Sequence, residues 1–206
     1  MRFFRKKTGP GKFGRDESGT AAVEFALIFP VLVFGYLGAI AAFEAYRAQN
    51  SVTRASAAVV DLVTRQLVFS EGNRDRVFSV ANAIVGDVAD GDVVVTVTSV
   101  YNPLSDGEDD DYFVDWSYTS GSGAVVEDDD ITSMDLPSIE NGDSLVVVTV
   151  EAIYTPRFLS DIFTTMTLNY TSVRRPRFAL RIPTTIDDCL FRTWPSRSLP
   201  LGRGAI

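Results

Sequence analysis

The sequence predicts an α+β protein in which a long N-terminal helix, anchored in a membrane at its start, packs on a small antiparallel sheet. Three observations carry that expectation. Residues 25 to 43 run for nineteen positions without a charge. Residues 39 to 70 contain neither Gly nor Pro, so nothing local interrupts a helix there. Further along, β-branched residues alternate in short runs, which is the strand pattern. At 206 residues, one domain with a real core is the natural division.

The first segment, 1–19, holds six basic residues against Asp16 and Glu17, a net of +4. Residues 44–173 carry 6 Arg against 22 acids, and residues 174–206 carry 7 Arg against Asp187 and Asp188. A basic head, an acidic body and an Arg-rich end imply that the pieces meet different surroundings. The whole chain nets −8, which argues against a nucleic-acid partner.

Residues 20–43 read TAAVEFALIFPVLVFGYLGAIAAF. At about 1.5 Å per residue the uncharged part spans roughly 28 Å, close to the ~30 Å hydrocarbon core of a bilayer. A removed signal peptide is the competing reading. Its apolar region is usually only about 7–15 residues long, and no clean small-x-small cleavage site follows. A retained transmembrane helix is therefore expected over 20–43. The basic head then places the N-terminus in the cytoplasm and the body outside the inner membrane.

Glu24 stands inside this apolar stretch, where a carboxylate costs about 2.5–3.5 kcal/mol near a helix centre and less near an end. One reading has it snorkel to the headgroups from its place near the start of the run. The other begins with its neighbours, Gly19-Thr20-Ala21-Ala22-Val23-Glu24-Phe25. This string resembles the processing site of type IV prepilins and pseudopilins, where a peptidase cuts after Gly and a Glu stands at the fifth mature position. A cut there would free an ammonium at Thr20, about one helical turn from Glu24, and the two charges could pair within or between subunits.

The longer string GTAAVEFALIFPVLVF resembles the opening of TadE-like proteins, minor pseudopilins of tight-adherence (Flp-type) pilus systems. Two later stretches, VVVTVEAIYTP at 146–156 and Arg174-Arg175-Pro176-Arg177, are also similar to that family. Phe25 stands where the full pilin motif usually has Tyr. The resemblance covers about residues 15 to 180. It implies a pilin-like fold with Gly19, Thr20, Glu24 and Phe25 as the peptidase processing residues and Glu24 as an assembly residue. Its implied partners are the inner membrane, a prepilin-type peptidase, sister pseudopilins and the pilus assembly machinery. Pro30 removes a helix hydrogen bond; an ordinary kink is the simpler reading, and a flexible point for extraction into a fibre is the other.

Residues 51–67 place Val52, Ala55, Val59, Leu62 and Val63 at helical spacing, with Arg54, Asp61 and Arg65 off that stripe. After a break at Ser70-Glu71-Gly72-Asn73, residues 74–85 predict a second helix. Strands are expected at 92–101, 112–119, 144–154 and 166–173. The expected division is a basic leader, 1–19, removed on processing; a transmembrane helix, 20–43; an exported α+β head, 44–180; and an Arg- and Pro-rich tail, 181–206, with no regular structure.

Two acidic runs, Asp106 to Asp111 and Glu127 to Asp130, interrupt the strands. Solvated loops are the simpler reading. Calcium ligation is the alternative, although the first run has no Glu at the closing position of the twelve-residue calcium loop. Such loops could also dock on a basic partner or on the Arg-rich tail. The chain has no His, and no lysine after Lys12, so imidazole chemistry and a Ser–Lys pair in the head are both excluded. No phosphate-binding or nucleophile-elbow motif occurs. The expectation is a non-catalytic protein without cofactor or metal. Cys189, the single cysteine, is read as a free thiol, with an intermolecular bridge as the alternative.

Three function classes remain open. They are a pilus component acting by assembly, a membrane-anchored exported binding module unrelated to pili, and a secreted hydrolase with a removed signal.

Overall fold

A computed structural model describes residues 18–103, 112–131, 133–157 and 164–185. The basic segment through residue 17, the first acidic run and Cys189 lie outside these residues. The chain is an α+β fold: a long N-terminal helix beside a four-stranded antiparallel sheet. Helix α1 runs from Ser18 to Thr64 without interruption, through Pro30, so the apolar stretch and the amphipathic stretch are one helix. Helix α2 follows at Glu71–Val85, beginning three residues before the expected start. The backbone N–H groups of Asn73 and Arg74 both donate to the Ser70 carbonyl at 3.0 Å, closing its first turn.

Strands β1 (Val94–Tyr101), β2 (Phe113–Thr119), β3 (Ser144–Tyr154) and β4 (Met166–Arg174) form a sheet in the order β2-β1-β3-β4. Every pairing is antiparallel. Valines of β1 and β3 meet across the sheet, as in Val95↔Val150 and Val97↔Val148. Such β-branched pairs on a pleated surface stabilise each register position by a few tenths to about 1 kcal/mol. Gly142 opens the turn into β3 at φ 90, a conformation that side-chain-bearing residues avoid. Its N–H donates to the Asn102 carbonyl at 2.8 Å, and Asn102 N–H returns a bond to Asp143 at 3.0 Å, which fixes the start of β3 against the end of β1.

Alternation along β3 divides the sheet into two faces. Val146, Val148, Val150 and Ala152 join one core with Val52, Ala55, Val59, Val60 and Val63 of α1 and Val77, Ala81 and Val85 of α2. On the far face Val147 and Val100 form a smaller cluster with Ile131. Ile131 closes α3, Asp128–Ile131, a single turn inside the second acidic run. Its four acidic residues are exposed, and two of them bond the local backbone: Asp128 Oδ1 accepts from Val114 N at 2.7 Å and Asp130 Oδ2 from Glu127 N at 3.0 Å.

The stripe on α1 differs from expectation at two positions. Val52, Ala55, Val59 and Val63 are fully buried, whereas Leu62 is 39% exposed and Val60 is buried. At about 100° per residue, Leu62 projects roughly a right angle from the centre of the stripe, at its solvent edge. Ser56, also buried, shares a 2.9 Å hydroxyl hydrogen bond with Ser172 of β4.

Beyond β4 the chain does not leave the head. Residues 175–185 cross the end of the sheet as a strap. Arg177 N–H donates to the last carbonyl of α1, Thr64, at 2.9 Å. Trp116 Nε1 donates to the Ile182 carbonyl at 2.7 Å, and Phe69 N–H donates to that of Pro183 at 2.8 Å. Ile182 is fully buried among the core residues. The boundary expected at 180 falls inside this strap.

Candidate functional site

The site begins with the two halves of α1. Its second half buries a valine stripe, while from Thr20 to Tyr36 every side chain is exposed. Val23, Phe25, Leu27 and Val31 each expose more than 60% of their surface. A continuous apolar surface of this extent marks a place that meets lipid or other protein. Among the described residues this helix, from Thr20, is the one long and apolar enough to cross a membrane.

Gly19 and Thr20 lie in the first turn of α1, and Glu24 and Phe25 follow on the next turns. Helical geometry puts Thr20 and Glu24, four residues apart, on one side of the helix. Glu24 forms no ion pair with any described residue. The Phe25 ring lies 5.5 Å from that of Phe29, tilted by 35°. All four residues thus lie at one end of the helix, where Thr20, Glu24 and Phe25 are exposed, apart from the core of the head.

The arginines of the 174–177 motif are exposed and pair with carboxylates on the surface of the head. Arg177 Nη2 donates to Asp61 Oδ1 at 2.7 Å, and Arg174 approaches the same oxygen at 3.9 Å. Arg65 reaches the other Asp61 oxygen at 2.7 Å, so one carboxylate on α1 gathers three guanidinium groups. Arg175 pairs with Asp143 at 3.2 Å. Arg181 pairs with Asp115, whose side chain is 5% exposed, and lies 3.9 Å over the ring of Tyr101. Part of the basic end of the chain is therefore matched to carboxylates of its own head.

Asp61 and Asp115 do not stand out in sequence, because each is one acid among many. The one available signal was the absence of lysine beside an excess of arginine, the side chain suited to forked ion pairs and stacking. Tyr154, within the VVVTVEAIYTP stretch, is also brought into a charged setting. Burial raises its phenol above the ordinary 10.0, and the carboxylates of Glu44 and Asp90 push the same way against Arg157.

Fold and site together describe an α+β head carried on an exposed apolar helix, an arrangement that suggests single-pass membrane anchoring. Residues 19–61 match the family model of the TadE-like proteins. The match begins at Gly19, covers the exposed apolar half of α1 and ends within its buried stripe. This family is structural and associated with tight-adherence pilus systems, and it is not known for enzymatic activity. No curated protein and no solved structure matches the chain.

Proposed function

We propose that this protein is a non-catalytic, membrane-anchored pseudopilin that takes part in assembling a tight-adherence type IV pilus. The observation that carries the reading is the coincidence of the TadE-like match, 19–61, with a helix whose first half is exposed and apolar. Such a helix can lie in the inner membrane and then exchange lipid for the helices of neighbouring subunits, because both surroundings are apolar. A prepilin-type peptidase cuts between Gly19 and Thr20. Glu24 then pairs with the ammonium of Thr20, its own or a sister subunit's, and is tolerated in an apolar interior through that pairing. The head lies on the outer side of the inner membrane and presents its surface to sister pseudopilins and the assembly machinery.

The mature N-terminus of membrane-extracted protein, read by mass spectrometry with the peptidase co-expressed, tests this. Thr20 is the expected first residue. An intact Met1 would instead favour an anchored binding module, and a start beyond residue 42 would favour a removed signal.

A further inference from the structure

A cavity of about 250 Å³ lies where α1 leaves its apolar run. Glu44 and Arg47 of α1, Asp87 and Asp90 after α2, and Tyr154 and Arg157 at the end of β3 line it. Glu44 is the first charged residue after the uncharged stretch 25–43, so the cavity stands at the level where hydrocarbon gives way to headgroups. Phe43 and Tyr46, 68% and 67% exposed, sit on the same turn of α1. Amphipathic aromatic rings such as Tyr46 settle at that level.

Two buried polar atoms there have no hydrogen-bond partner: the Tyr154 hydroxyl, on a side chain 6% exposed, and Glu44 Oε2. Buried polar groups are normally bonded, so this pair calls for a ligand. Asp90 Oδ2 accepts from Thr155 N at 2.9 Å. Neither Arg47 nor Arg157 forms an ion pair with another described residue. Charges of both signs therefore stand side by side without neutralising each other, and that suits a ligand which also carries both.

We propose that this cavity holds the zwitterionic headgroup of an aminophospholipid. The primary ammonium donates to Glu44 Oε2, with Asp87 and Asp90 adding negative potential. The phosphate meets Arg47 and Arg157 and accepts from the Tyr154 hydroxyl. A quaternary choline has no N–H to give Glu44, and phosphatidylglycerol brings no cation to three carboxylates. The inference needs the anchoring of α1 but not its role in a pilus.

The test is native mass spectrometry of the full chain in detergent, titrated with short-chain phosphatidylethanolamine, phosphatidylcholine and phosphatidylglycerol. Phosphatidylethanolamine should bind about tenfold more tightly than either of the others, the scale of one charge-assisted hydrogen bond. Glu44→Gln should erase that preference, and Tyr154→Phe should weaken it several-fold with the head still folded by circular dichroism. Arg157→Gln, at an exposed position, should also weaken binding, and it decides the matter if a buried variant fails to fold. Equal affinity for the three lipids, a preference for phosphatidylglycerol, or unchanged binding in the folded variants would overturn the proposal. Soluble phosphoethanolamine binding as tightly as the lipid would overturn the lipid as its source. Resistance to alkaline carbonate extraction reports anchoring separately, so a loss of lipid selectivity with the protein retained in the membrane counts against the cavity alone.

Discussion

Trp116 on β2 and Ile182 on the strap are joined by the indole hydrogen bond, across 66 positions of sequence. β2 is one edge of the sheet, and the strap leaves from β4, the other edge. The contact therefore ties both edges together at one end, with Arg181 bonded to Asp115 on the same strand as Trp116. The Phe69 ring stacks on Trp116 with centroids 5.0 Å apart, which brings the link between the helices into the same closure.

Removing the strap's ion pair should therefore weaken the whole head. Arg181→Met leaves the Asp115 carboxylate without its guanidinium at a 5% exposed position. Breaking one side of such a pair costs about 3 kcal/mol. Urea unfolding of detergent-solubilised protein, followed by tryptophan fluorescence, measures it. The double change Arg181→Met with Asp115→Leu should recover most of the loss. A single variant with an unshifted midpoint would show that the strap contributes nothing.

The buried stripe on α1 gives a matched comparison. Val59 is fully buried and Leu62 is 39% exposed, three residues apart on one helix. Val59→Asp places a carboxylate among valines and should cost about 3 kcal/mol or more, whereas Leu62→Asp should stay within about 1 kcal/mol. Thermal unfolding of both variants checks the contrast. Similar losses would mean that the helix packs on a different face.

Alkaline pH should loosen the base of the head through Tyr154. Its phenol is raised above 10.0 in the folded state, first by burial and then by Glu44 and Asp90. Between the unfolded and folded values the native state holds more protons, so stability falls as pH rises. The contribution is complete below the unfolded value and is lost as pH climbs through the folded one. Unfolding midpoints from pH 8 to pH 11 should drop less steeply in Tyr154→Phe than in wild type. Parallel profiles would assign the alkaline loss to other groups.

Blocking the cut should separate processing from anchoring. Gly19→Val should abolish the size shift caused by loss of residues 1–19, while the protein stays in the membrane fraction. Immunoblots with the peptidase co-expressed would show this, and a wild type with no shift would remove the processing step alone.

Assembly should depend on Glu24 more than insertion does. Glu24→Gln keeps the shape, lowers the insertion cost and removes the partner for an ammonium. Normal membrane levels without pili are expected by immunoblot and electron microscopy. Full piliation in that variant would refute the pairing.

The sequence by itself determined the elements whose cause is local. Strand β3 was legible at 144–154 because alternating valines encode a pleated face directly, and β4 was legible to within one residue. The uncharged run, the Gly- and Pro-free stretch and the Gly19–Glu24 spacing marked α1 and its similarity to the TadE-like proteins for the same reason. Tertiary structure alone decided which flank of α1 is sealed, burying Val60 and leaving Leu62 at the rim, because periodicity fixes a stripe but not its width. It also decided that Arg177 and Arg181 close the head on Asp61 and Asp115, and that Glu44 meets Tyr154 and Asp90 in one cavity. Those partners lie on different elements, and charge acts across space; only the packing of α1, the sheet and the strap together gives each carboxylate its neighbour.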